Sequence, residues 1–164
     1  MKFIEPREDE LQAAWGGAGP AASTLMTLEQ WQAVRRRWPA MPRIGIVLSN
    51  DQDVALLEPD LSRFAAVVLQ FPTWTDGRAY TQARLLRTRL RFTREIRASG
   101  EVLVDMLPML QRTGFDAVQL RADQSLAAAR HALGFFADHY QGDANEPRPL
   151  FARPELEALA DVSH

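Results

Sequence analysis

Residues 43–71, RIGIVLSNDQDVALLEPDLSRFAAVVLQF, contain two short apolar runs, Ile44–Leu48 and Ala65–Phe71. The first stops at Ser49-Asn50-Asp51 and the second at Pro72, both turn signals. Neither run alternates polar with apolar residues, so each reads as a strand buried on both faces, as in a parallel sheet. The link between them, Asp53 to Phe64, leaves room for only a short helix before Pro59 interrupts. Strand, short helix and strand make one βαβ unit.

Downstream the pattern repeats. Glu95–Ser99 is a weaker strand, and Asp116–Leu120, introduced by Gly114, is a fourth. Helical spacing fills the intervals. Arg78–Leu90 places Ala79, Ala83, Leu86 and Leu90 on one face, and Glu101–Thr113 does the same with Leu103, Met106 and Leu110. Gly114 stands where a helix C-cap belongs. Ser125–Gln141 carries Leu126, Leu133, Phe136 and Tyr140 at near-helical intervals. Four βα units predict an α/β fold with a parallel sheet, either an open layered sheet or part of a barrel. Its expected core includes Ile44, Ile46, Val47, Val67, Val68, Leu69, Ile96 and Val118.

The flanks read differently. Residues 1–42 form an irregular lead-in with a glycine-rich link at Gly16-Gly17-Ala18-Gly19-Pro20 and one helix after Thr27. That helix spaces Leu28, Trp31, Val34 and Trp38 along one side, with Arg35–Arg37 in its last turn and Pro39 beyond it. The α/β domain is expected over residues 43–141, and residues 142–164 form a polar, proline-rich tail.

With 164 residues, 46% of them hydrophobic and 24% charged, the chain suits one soluble globular domain. No run approaches the ~18 apolar residues of a membrane span, and Met1–Glu10 lacks the apolar centre of an export signal. Cysteine is absent, so disulfides, thiolate ligation and a Cys nucleophile are excluded, in keeping with a cytoplasmic location. A formal net charge of −2 gives no reason to expect nucleic acid as a partner. Charge is nevertheless polarised. Lys2 is the only lysine, and seven arginines lie between Thr73 and Ser99 against Asp76 and Glu95.

The familiar chemical motifs are missing: no phosphate loop, no HExxH, no GxSxG, and no strand before the glycines at 16–19. His131, His139 and His164 are too sparse for a metal site, and neither metal nor cofactor is expected. The stretch that stands out is 71–91, FPTWTDGRAYTQARLLRTRLR, which starts at the carboxyl end of a buried strand. Loops at that edge build the sites of parallel sheets. Asp76 or Thr75 is placed to cap the incoming helix, and Gly77 to allow a tight turn with positive φ. Arg78 sits in the first helical turn, where a cation opposes the helix dipole, which calls for a partner such as Asp76, Glu101 or an anion. Arg84, Arg87 and Arg91 follow at helical spacing. They read either as a solvated basic face with one Arg–carboxylate brace, or as a site for an anion or an acidic partner.

The blocks FPTWTDGRAYTQARLLR, REIRASGEVLVDML and RTGFDAVQL resemble a small bacterial family of unknown function. Its members are described as oxidoreductases or as accessory proteins of assimilatory sulfite reduction, encoded beside sulfite reductase. The resemblance spans about Arg43 to Gln141 and rests on Asp76, Gly77, Arg78, Tyr80, Arg84 and Arg87, extended by Arg97, Gly100, Val102 and Gly114-Phe115-Asp116. The chain departs from the family at Ala79, Thr81, Glu101 and Thr113, and at Pro108, which is expected to kink the third helix.

Two functions follow as expectations. One is an accessory protein that binds sulfite reductase or another sulfur-assimilation protein, or a small anion. The other is a small oxidoreductase or lyase acting on a sulfur-containing anion, with Asp76 and Tyr80 as acid/base groups. Either would use a polar site at the carboxyl ends of the strands, built from Asn50, Arg78, Arg84, Arg87, Arg97, Ser99 and Glu101.

Overall fold

The computed structural model describes residues 1–4, 25–39 and 43–134. Six strands, β1 (Lys2–Phe3), β2 (Leu25–Thr27), β3 (Ile44–Leu48), β4 (Phe64–Phe71), β5 (Glu95–Gly100) and β6 (Ala117–Val118), form one sheet. Its order is β1-β6-β5-β4-β3-β2, and every pairing is parallel. The α/β reading is therefore correct. Strands β3 and β4 both lie inside the sheet, with a paired strand on either side, as their unbroken apolar runs imply. All five residues of β3 are buried.

From β2 to β6 each connection moves one place in the same direction, and β1 then lies beyond β6. Right-handed crossovers in one direction put the described helices between these strands on one face. The core shows it. Ile46, Leu48, Val67, Leu69, Ile96, Ala98 and Val118 cluster with Trp31, Leu57, Leu86, Leu107 and Leu110 from the helical segments. These are α1 (Leu28–Val34), a 3₁₀ helix (Val54–Arg63), α2 (Arg78–Thr88), a single 3₁₀ turn (Val104–Met106) leading into α3 (Leu107–Thr113), and α4 (Leu126–Gly134). All eight expected core residues are buried.

Local chemistry sets the helix ends. Thr27 caps α1 through a reciprocal box: its hydroxyl accepts from Gln30 N at 3.2 Å, and Gln30 Oε1 accepts from Thr27 N at 2.9 Å. Gly114 closes α3 in the left-handed region at φ 102°, as its position implied.

Three expectations fail on local geometry. Pro108 does not kink a helix, because α3 begins at Leu107 and places it in the first turn, where its missing N–H has no intrahelical acceptor to lose. Gly77 has φ −83°, not a positive value; among the described glycines, Gly100, at φ 93°, joins Gly114 in that region. The lead-in is also more than a helix, since it supplies both edge strands. Strands of two and three residues show no periodicity. They are held by register, with Lys2 N donating to Asp116 O at 2.7 Å and Ile4 N to Val118 O at 2.9 Å. The glycine-rich link, Phe136, Tyr140 and the tail from 142 lie outside the described residues. Among the described residues, no helix is long and apolar enough to cross a membrane.

Candidate functional site

Because the strands are parallel, the loops after β3, β4, β5 and β6 open on the same edge. The β3 and β4 loops meet there. Gln82, buried in α2, donates through Nε2 to Ser49 O at 2.9 Å and Gln52 O at 2.8 Å, which fastens the β3 loop to the helix that follows β4. Asn50 is buried in this loop, and its Nδ2 makes no hydrogen bond; Gln82 Oε1 likewise has no partner.

The β4 loop places Asp76 and Arg78 on either side of Gly77. The Asp76 carboxylate accepts the backbone N–H of Arg78 at 3.1 Å, so it caps α2 as expected, from one residue before the formal N-cap. It also takes the guanidinium in a fork, with Nε at 3.0 and 3.2 Å and Nη2 at 2.7 Å. This pair is the partner that a cation in the first helical turn called for. The guanidinium hydrogen bond, reinforced by the N–H of Arg78, lowers the Asp76 pKa to about 2. Asp51 is also held below the usual carboxylate range, mainly by the Ser49 hydroxyl and its own backbone, with a smaller pull from Arg78. Arg78 is thus neutralised by the Asp76 fork with Asp51 nearby, and the turn itself carries no excess of positive charge. Its side chain stays 59% exposed, and Nη1 makes no hydrogen bond to Asp76. Beside it on the same loop, Trp74 is 58% exposed.

The remaining candidates divide by place. Arg84 is exposed on α2 and has no side-chain partner among the described residues. The same holds for Arg89 and Arg91 at the helix exit. Arg87 points the other way. It donates to the carbonyls of Gly114 at 2.9 Å, Phe92 at 2.6 Å and Arg94 at 2.8 Å, and pairs with Asp116. Those groups precede β5 and β6, so Arg87 braces the opposite end of the sheet and does not reach the site. Arg97 is also misplaced by the sequence reading. It lies inside β5, paired with Glu95 at 2.8 Å. Strand alternation puts it and Ser99 on the face away from Ile96 and Ala98, hence away from the helices. Glu101 does stand at the carboxyl edge, but its carboxylate is taken by Arg121 at 2.9 Å.

Tyr80 is half-buried, with its ring edge-on to Phe71 at 5.1 Å and to Phe115 at 6.4 Å. Burial raises the pKa of its hydroxyl. The site that the structure assembles is therefore smaller than expected: Asn50, Asp76 and Arg78, with Asp51, Trp74 and Gln82 added. Asp51 and Trp74 were legible as a polar loop residue and an aromatic in a turn. No sequence signal marks Gln82, because its importance comes from burial under a loop thirty residues away in the chain. Among the described residues no three histidine or carboxylate side chains converge on a metal position.

Residues 45–151 match a family model described as a bacterial protein of unknown function (DUF934). No curated protein matches the chain.

Proposed function

Since the chain belongs to the DUF934 family, we propose that it is an accessory or partner protein of assimilatory sulfite reduction, which binds an acidic partner or an anion along α2. The observation that carries this reading is the set of exposed arginines, Arg84, Arg89 and Arg91, which have no carboxylate partner among the described residues. Arg78 adds the free edge of its guanidinium at the entrance of the same helix, suited to a carboxylate or another oxyanion. The link to sulfite reduction rests on the resemblance of the 71–91 block and its two companions.

The alternative, a small oxidoreductase or lyase acting on a sulfur-containing anion, would need Asp76 and Tyr80 as acid/base groups. Asp76, with its pKa near 2, is a poor proton acceptor at neutral pH, and burial makes Tyr80 reluctant to ionise. Both facts favour binding over proton transfer.

The test is charge reversal in cells grown on sulfate as the only sulfur source. The Arg84→Glu and Arg89→Glu double variant is expected to melt like the wild type, since exposed substitutions stay within about ±0.5 kcal/mol each. It should lose growth and co-purification with sulfite reductase, and the wild-type complex should weaken as salt rises. Full growth of the double variant would sink the proposal.

A further inference from the structure

A recess lies further along the same edge of the sheet. It is a cavity of about 340 Å³ between the carboxyl ends of β1 and β6 and the first turns of α4. Its walls include Phe3, Val118, Leu120 and Leu126, and its polar side holds Arg121 and Arg130. That volume and that mixture, an apolar wall with few charged groups, are what small-molecule sites have. The location is where parallel sheets place them.

The two arginines are not equivalent. Arg121 is saturated: it forks onto Asp123 at 2.7 Å on both nitrogens and reaches Glu101 at 2.9 Å. Arg130 is exposed and pairs with no carboxylate among the described residues. It stands four residues after Leu126, so both project from one side of α4, while Ala129 is buried in the core. Leu126 is 44% exposed, a large apolar side chain beside a cation with no carboxylate partner among the described residues.

We propose that this cavity binds a small organic acid, with its apolar body against Phe3, Leu120 and Leu126 and its carboxylate on Arg130. The proposal is independent of the α2 surface. Calorimetric titration of the full chain with phenylacetate, and with uncharged 2-phenylethanol, tests it. Saturable phenylacetate binding is expected, weakened about fivefold by Arg130→Ala, which should leave 2-phenylethanol unaffected. Leu126→Gln, at an exposed position, should weaken both probes. No saturable binding of phenylacetate at millimolar concentration would overturn the proposal. So would phenylacetate affinity that neither variant changes, because the acid would then sit elsewhere. A loss in Arg130→Ala that is equal for both probes would remove the carboxylate from its assigned partner.

Discussion

Gly100→Ala is the substitution from which the structure predicts the largest loss for the smallest chemical change. Gly100 ends β5 opposite Phe71 of β4, at φ 93°. An added methyl would overlap the Phe71 carbonyl oxygen and lie 3.2 Å from its carbonyl carbon and 3.3 Å from its nitrogen. These are backbone atoms in a central strand, so they cannot swing aside. An L-residue in a left-handed conformation costs about 1–2 kcal/mol. Relieving the overlap disturbs two hydrogen bonds, Glu101 N to Phe71 O and Val102 N to Gly100 O, both 2.8 Å. Each is worth about 0.5–1.5 kcal/mol. The total, about 2–5 kcal/mol, is a large part of the ~5–15 kcal/mol that holds a domain of this kind. At about 2–4 °C per kcal/mol, the melting temperature should fall by roughly 4–20 °C.

The control is Gly77→Ala, whose new methyl would meet only Tyr80 Cδ2, at 3.7 Å, with φ already negative. It should stay within about 1 kcal/mol of wild type. Thermal melts followed by circular dichroism, with urea titrations alongside, decide the matter. A Gly100→Ala protein that melts with the wild type, or a Gly77→Ala protein that falls further, would refute the assignment of backbone strain to Gly100.

Arg87→Ala should destabilise the fold by about 3 kcal/mol or more, because it strands three carbonyls and leaves the Asp116 carboxylate only the N–H of Ile96. Arg84→Ala should cost less than about 0.5 kcal/mol, and equal urea midpoints for the two variants would show that Arg87 is no brace. In carboxyl-carbon magnetic resonance, Asp76 should titrate near pH 2, and Arg78→Ala should return it toward the ~3.9 of a free aspartate. Since its folded pKa is lowered, the stabilisation from this pair is complete above about pH 4 and is lost as the pH falls through 2. An Asp76 midpoint that does not move in Arg78→Ala would mean that the fork is not what holds it ionised.

What the sequence determined by itself is whatever depends on near neighbours in the chain. The apolar runs at 44–48 and 65–71, the Thr27 and Gly114 helix ends and the Asp76–Arg78 pair each lie within a few residues, where periodicity and capping chemistry act. What the tertiary structure decided depends on register and on which way a side chain turns. Arg84 and Arg87 are three residues apart on one helix, yet one faces solvent and the other closes the far end of the sheet, because only the segments leading into β5 and β6 supply the carbonyls that draw it in. Arg97 reads as a site residue until strand alternation turns it to the face opposite the helices. The edge strands at 2–3 and 25–27 are too short to carry a pattern and exist only because β6 and β3 offer unpaired backbone beside them. Local propensity is written in the order of residues, whereas long-range hydrogen bonds and strand pairing form only once distant segments meet, so they leave no mark in any one stretch of chain.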